Sequence, residues 1–226
     1  MAEKFNPDDT LSPIELAQHL RQPTGDIGIQ IGDQMNKGNK HISLNTYKVL
    51  NPHDGNHILE IGMGNGFFIP DLLAMAKNLS YTGIDFSATM VKEANRINED
   101  LVNSGTVQFK CASIENIPFP DNSFDCIATA NTLYFWPQPE DNLKELFRVL
   151  KPNGKFICAY RSKSCMDNVD FTQYGFTKYD KDSVESLFRN SGFIDVTTEI
   201  IKEPELEFDG KTHAMEGIFT IGLKNA

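Results

Sequence analysis

Residues 57–68 read HILEIGMGNGFF. An apolar run, His57 to Ile61, leads straight into Gly62, Gly64 and Gly66, spaced G-x-G-x-G. Glycine in place of alanine costs roughly 0.5–1 kcal/mol inside regular structure. Three of them at one strand end point to a need for bare backbone: positive φ, or a ligand close to the main chain. At the carboxyl end of a parallel strand, a tight turn into a helix opens a crevice for ligands. The dinucleotide fingerprint G-x-G-x-x-G would place its third glycine at position 67, which is Phe67. Glu60, just ahead of the turn, is unwelcome beside a diphosphate and suits a ligand bearing an ammonium group. A structural strand-to-helix turn accounts for the same glycines. Asp85 closes the next apolar run, YTGID. Neighbouring parallel strands end on the same edge of a sheet, so Asp85 faces the same crevice. A carboxylate there can accept both hydroxyls of a ribose, at about 1.5–3 kcal/mol per charged hydrogen bond. The alternative is an Asp that caps the helix behind it.

Positioning these groups takes an alternating chain. The pattern predicts strands over 57–61, 81–85, 106–111, 124–130 and 154–160, and helices over 66–77, 87–103, 138–150 and 180–191. Ser87 is placed to cap the second of these helices, and Gly192 sits where the last should end. Such alternation argues for a parallel α/β sheet. After 191 two strand patterns, 193–201 and 216–224, follow without a helix between them, which predicts an antiparallel pair at the end of a seven-stranded sheet. Residues 1–50 read differently. Ser12, Pro13 and Glu15 form a capping-box start for a helix to about Arg21. A second helix runs from about Ile27 to Leu50, with a break expected near Gly38. The segment 24–45 is expected to lie across the mouth of the crevice as a lid, or to be a packing helix.

The 226 residues are 40% hydrophobic, enough to bury a core without covalent staples. Cys111, Cys126, Cys158 and Cys165 form no C-x-x-C pair and no zinc spacing, and read as reduced thiols. A net charge of −10 with no basic stripe argues against nucleic acid as a partner. No apolar run approaches the roughly 18 residues of a membrane helix, and MAEKFNPDD has no apolar signal region. The expectation is a cytoplasmic protein.

The third chemical constellation follows the third strand. The polar loop Ala112–Ser113–Ile114 leads to IPFPDNSFD (117–125) and, later, LKELFRVLKPNGKFI (143–157). Together with the run 57–66 and the acid at 85, these segments resemble the class I S-adenosylmethionine-dependent methyltransferases, in their small-molecule branch. The resemblance covers residues 57–160 well and the tail more loosely. It implies a Rossmann-like, doubly wound sheet, with residues 1–50 as a helical cap and 51–226 as the methyltransferase domain. It implies S-adenosylmethionine as cofactor, S-adenosylhomocysteine as product, no metal, and a small-molecule methyl acceptor. The turn at Gly62, Met63, Gly64 and Gly66 would cradle the methionine part, with Glu60 at its amino end. Asp85 would hold the ribose, with Phe86 and Met90 against the adenosine. Ser113 and Ile114 would border adenine; the family often has Asp at the Ser113 position, and Ser is shorter and neutral. Asn131 would lie near the methyl group. The residues agree with such a ligand: a zwitterion with a sulfonium and no phosphate needs carboxylates and backbone dipoles, and the chain has no G-K-[ST] phosphate loop.

NTLYFWPQPE (131–140) follows the fourth strand on the same edge. Its Leu133, Phe135 and Trp136 either wall an acceptor pocket or pack the following helix. Asn131 and Tyr134 share the first and last positions of the N-P-P-Y signature of amino-group methyltransferases, without its two prolines. Tyr134 is the candidate general base. Tyr160 and Arg161 either face the acceptor or sit in a solvated loop; His41 is either near the site or on the surface. The rival readings are a nicotinamide-dependent oxidoreductase on a similar sheet and a non-catalytic cofactor-binding protein.

Overall fold

The computed structural model describes residues 11–167, 169–208 and 211–226; the segment MAEKFNPDD lies outside them. Seven strands form one sheet: β1 (His57–Ile61), β2 (Ser80–Asp85), β3 (Val107–Cys111), β4 (Phe124–Ala130), β5 (Leu150–Tyr160), β6 (Ile194–Phe208) and β7 (Lys211–Leu223). Their spatial order is β3-β2-β1-β4-β5-β7-β6. The pairs within β3-β2-β1-β4-β5 are parallel, and β7 runs antiparallel to both β5 and β6. This is the expected doubly wound, mostly parallel sheet with an antiparallel C-terminal pair. The order reverses between β1 and β4, so the chain leaves their carboxyl ends in opposite directions and a crevice opens there.

Helices cover both faces. α1 (Pro13–Arg21), α2 (Gly25–Leu50), α3 (Ile69–Leu73), α4 (Ala88–Ile97), α5 (Glu99–Asn103), α6 (Pro139–Val149), α7 (Lys163–Met166) and α8 (Lys181–Asn190) follow in chain order, with single 3-10 turns at Leu133–Phe135 and Asp170–Gln173. Strands buried on both sides send alternate residues to different cores. Ile58, Tyr81, Ala128 and Ile157 join Tyr47 and Leu50 of α2, Leu72 of α3 and Ala94 of α4. Leu59, Ile84, Ile127 and Phe156 join Leu143 and Leu146 of α6 and Phe188 of α8.

Local signals set several boundaries as expected. The Ser12 hydroxyl accepts from Glu15 N–H while the Glu15 carboxylate accepts from Ser12 N–H, a complete capping box with Pro13 in the first turn. Ser87 Oγ accepts from Met90 N–H and caps α4. Gly192 follows α8 with a φ of 98°.

Other boundaries differ. The helix expected over 66–77 shrinks to Ile69–Leu73; at its start Gly66 has a φ of 68°, which is incompatible with helix. The helix expected over 87–103 divides at Asn98, whose side-chain amide donates to the Gly66 and Ala94 carbonyls. α2 passes through Gly38 without a break, and both C-terminal strands run longer than expected. No helix among the described residues is long and apolar enough to cross a membrane.

Candidate functional site

The switch-point crevice is a cavity of about 180 Å³. β1, β2, β3 and β4 each end on it, and α2 forms the facing wall with Gly32, Asn36, Asn39, Ser43 and Tyr47, a stripe at three- and four-residue spacing. α2 also packs its far end on the sheet through Ile42, against Ala159 and Phe219. One face of the helix thus lines the cavity while another, with Ile42, packs on the sheet.

The three glycines of the turn have positive φ and three separate reasons to be glycine. A Cβ on Gly62 would sit 2.4 Å from Thr132 Cγ2. A Cβ on Gly66 would meet Ile69 and the Asn98 amide. At Gly64 nothing lies within 4 Å of the Cβ position. This glycine lines the cavity, and the space a side chain would fill is open to it.

Glu60 is buried on the cavity wall, where its Oε2 accepts from Tyr47 Oη at 2.9 Å and Tyr81 Oη at 2.7 Å. Burial raises its pKa, against the lowering effect of the two hydroxyls. Both tyrosines are held neutral, pushed well above the usual phenol range by burial and by the Glu60 charge. Two donors on one oxygen fix the carboxylate while Oε1 takes neither of them.

Asp85 is 7% exposed. Its Oδ1 accepts from Ser87 N–H at 2.8 Å and its Oδ2 from Gly64 N–H at 3.1 Å, which ties the turn after β1 to the turn after β2. Burial pushes its pKa up to about 6, opposed by these two hydrogen bonds. The helix cap is Ser87, so the capping alternative for Asp85 does not hold. Ser87 Oγ also donates to Pro23 O at 2.5 Å, docking the α1–α2 link on this corner.

Met63, Phe86, Met90, Ser113, Ile114 and Asn131 all line the same cavity, so the structure brings the proposed cofactor residues together. Glu115, which the sequence reading did not single out, lines it too, and its Oε2 accepts from Ser113 Oγ at 3.0 Å. A carboxylate is thus present beside the position where Ser replaces Asp.

The acceptor side divides differently. Phe135 and Trp136 line the cavity while Leu133 belongs to the core, so the aromatic run does both jobs. Tyr134 is not on the cavity wall. It is buried, its hydroxyl accepts from Arg161 N–H and donates to Asn131 Oδ1 at 3.0 Å, and burial raises its pKa far above neutrality. A base needs a free lone pair within reach of the acceptor, and this geometry gives Tyr134 a holding role. Tyr160 and Arg161 are buried rather than solvated: Tyr160 bonds Thr220, and Arg161 pairs with Glu203. His41 is exposed and off the cavity. Among the described residues no group of His, Cys, Asp and Glu is arranged to hold a metal ion.

The site fits the expected cofactor. Two buried carboxylates flank a main-chain turn whose central glycine opens on the cavity. Known proteins agree. A family of methyltransferase domains matches residues 59–158. The ubiquinone/menaquinone biosynthesis C-methyltransferase UbiE of Rickettsia bellii is 39% identical over 116 residues, 50% of this chain and 47% of that protein. The chain thus spans about half the length of the curated relatives it matches. Among solved structures, a chain from the complex of the Haloferax volcanii Trm112 methyltransferase activator with a methyltransferase superposes with a TM-score of 0.75 at 19% identity, covering 86% of this chain and 94% of that one. The Haemonchus contortus phosphoethanolamine N-methyltransferase 2, in complex with phosphomonomethylethanolamine and S-adenosylhomocysteine, superposes with a TM-score of 0.71 at 17% identity, covering 96% of this chain and 61% of that one. At these identities the structures speak for the fold alone; the matched domain, with the glycine turn and both carboxylates inside it, speaks for the family. Residues 59–158 of the chain thus match a family of methyltransferase domains, on a sheet that superposes with solved methyltransferases.

Proposed function

We propose that this protein transfers a methyl group from S-adenosylmethionine to a small-molecule acceptor. The observation that carries the reading is the pairing of Glu60 and Asp85 across a turn whose Gly64 leaves its Cβ space open to the cavity. In this reading Glu60, steadied by Tyr47 and Tyr81, takes the cofactor's ammonium group. The turn Gly62–Met63–Gly64–Gly66 lies along its methionine part. Asp85 accepts from the ribose hydroxyls, Phe86 and Met90 flank the adenosine, and Ser113, Ile114 and Glu115 border adenine. Asn131 stands at the methyl end. The names of the relatives, one a C-methyltransferase of quinone biosynthesis and one an N-methyltransferase, support a small-molecule acceptor.

When bound, the cofactor supplies a methyl group on a sulfonium, which the acceptor's electron pair displaces in line while the carbon–sulfur pair stays with sulfur. The protein's share is then orientation, which can lower a barrier by roughly 7–11 kcal/mol. The carboxylates on the cavity wall are Glu60, Asp85 and Glu115, all at the ends of β1, β2 and β3, away from the β4 loop where the acceptor enters. A nicotinamide enzyme is disfavoured because Phe67 replaces the third glycine and Glu60 faces the space of the diphosphate.

Calorimetry and thermal shift test the reading. S-adenosylhomocysteine should bind and raise the melting temperature, and NAD should do neither. Stabilisation by NAD alone refutes it. Methyl transfer from labelled S-adenosylmethionine to one of a panel of phenols, amines, thiols and carbon acids separates an enzyme from a binding protein.

A further inference from the structure

Between the β4 loop and α2, one backbone amide and three side chains form a directional chain of hydrogen bonds. Arg161 N–H donates to Tyr134 Oη. Tyr134 O–H donates to Asn131 Oδ1 at 3.0 Å, and Asn131 Nδ2 donates to Asn39 Oδ1 at 2.9 Å. The direction is forced. A backbone amide can only donate, and a hydroxyl has one hydrogen. Tyr134 is 4% exposed, so that hydrogen goes to Asn131 rather than to water. Asn131 must then turn its oxygen to Tyr134 and its amine to α2, which in turn fixes the oxygen of Asn39. The far end is anchored by a buried ion pair, Arg161 Nη1 to Glu203 Oε2 at 2.8 Å, with Arg161 Nη1 also donating to Glu216 O at 3.0 Å.

The neighbouring Thr132 has no hydrogen to spare. Thr129 donates to Ile61 O at 2.9 Å, so Thr132 donates to Thr129 at 2.5 Å, and it accepts from Trp136 Nε1 at 3.1 Å. Asn39 and Asn131 both line the cavity. With one lone pair of each oxygen taken by the relay and both oxygens turned along it, what the pair mainly offers an acceptor is amide hydrogen.

We propose that the Asn39–Asn131 pair, set by Tyr134 and the Arg161–Glu203 bridge, is the acceptor-recognition element, and that it selects an acceptor presenting an anionic oxygen, an enolate or phenolate, over an amine. The proposal rests on the methyltransferase reading above. The acceptor gives its proton to solvent before it binds and makes the new bond with its own electron pair, so no residue has to act as base. Tyr134, Arg161 and Glu203 are positioning residues.

The test uses the full chain saturated with S-adenosylhomocysteine and titrated with 4-nitrophenol at a series of pH values, read by phenolate absorbance. The phenolate should bind at least about tenfold more tightly than the phenol, the worth of one hydrogen bond to a charged oxygen, which lowers the bound probe's ionisation midpoint by about one pH unit. Tyr134→Phe releases the Asn131 amide and should return the midpoint most of the way to that of the free probe, with S-adenosylhomocysteine affinity unchanged. Asn39→Asp keeps an oxygen for Asn131 but puts a carboxylate in the wall. It should weaken phenolate binding about tenfold or more and admit benzylammonium, which the parent protein rejects; it also decides the matter if Tyr134→Phe does not fold. A midpoint that stays put or rises, the same midpoint in all three proteins, or no probe binding in protein that holds S-adenosylhomocysteine overturns the proposal. Protein that binds neither S-adenosylmethionine nor S-adenosylhomocysteine fails the methyltransferase reading, and this one with it.

Discussion

If Asp85 holds the ribose as proposed, cofactor affinity should depend on pH in a direction that can be worked out. Its pKa is raised from 3.8 to about 6, and the largest cause is burial. A ribose hydroxyl donates to the ionised carboxylate and not to the hydrogen of a carboxylic acid, so S-adenosylhomocysteine should prefer the protein with Asp85 charged. At pH 5 a group with a pKa near 6 is charged about once in eleven molecules, and at pH 7 about ten times in eleven, so affinity should fall about tenfold from pH 7 to pH 5. Glu60 is also raised by burial and adds to the fall in the same direction. No histidine lines the cavity to confuse the reading. Calorimetry from pH 5 to 8 in two buffers of different ionisation enthalpy measures both the affinity and the protons released. Near pH 6 binding should release a substantial fraction of a proton. Glu60→Gln should keep the Asp85 share of the slope, and Asp85→Asn should leave only the Glu60 share. Affinity that is flat from pH 5 to 7, or that rises on acidification while the protein stays folded, refutes the ribose role. The same shift acts on the ligand-free fold with the opposite preference. A raised carboxyl pKa contributes stability that is present below the unfolded pKa and lost as pH rises through the folded one. The interval from 3.8 to about 6 is worth at most about 3 kcal/mol, lost between about pH 4 and pH 6.

Other outcomes are expected. Gly64→Val points into open space, so the fold should survive a left-handed strain of about 1–2 kcal/mol while S-adenosylhomocysteine binding is lost; normal binding would show that the turn is misassigned. Gly62→Ala, by contrast, drives a methyl into Thr132 Cγ2 and should lower the melting temperature, with partial recovery in Gly62→Ala/Thr132→Ser, which removes the opposing methyl. Arg148→Ala removes bonds to Glu145, Asp121 and the carbonyls of Ile117 and Phe119. Discounted for partial exposure of the guanidinium, the loss should be about 1–3 kcal/mol by urea denaturation, with faster hydrogen exchange over 117–121. In ligand-free protein, residues 22–28 should exchange faster than 40–50, and S-adenosylhomocysteine should slow the former selectively. The first group is held mainly by single bonds from Gln22 to Phe86 O, Ser87 to Pro23 O and Gly25 to Thr89, the second by buried Ile42, Tyr47 and Leu50.

The sheet was legible because strands buried on both faces read as apolar runs, and its edge of ligand residues followed from strand ends alone. Glu60, the glycines and Asp85 announced themselves by type and position. What escaped was whatever depends on elements meeting. Nothing local marks Asn98 as the end of a helix; it leaves the helix to donate to Gly66 O, 32 residues upstream. The Tyr47 and Tyr81 hydroxyls converge on Glu60 only because α2 crosses β1 while the β1–β2 register sets Gly83 opposite Glu60, with Tyr81 two residues behind on the same face. Arg161 looked like a loop residue because its partner, Glu203, lies in a strand continued well beyond the expected 193–201. The stripe 32, 36, 39, 43, 47 on α2 was readable as a helix face, but its mixture of Gly, Asn, Ser and Tyr has no apolar periodicity to draw notice.

Under the proposed reading, that stripe would let one helix serve both halves of the reaction. Tyr47 reaches the cofactor end through Glu60, and two turns earlier Asn39 reaches the acceptor end through Asn131. Lys155 Nζ donates to Leu50 O at 3.0 Å and holds the last turn on β5, so the spacing between those two contacts is the rise of a helix fixed to the sheet. Moving Asn39 without moving Tyr47 would require breaking α2 between them. If both proposed roles hold, a helix in this position should couple the two binding events. A ligand that tightens the Glu60 corner should then also settle the Asn39–Asn131 pair, which would show as positive cooperativity between S-adenosylhomocysteine and the phenolate probe.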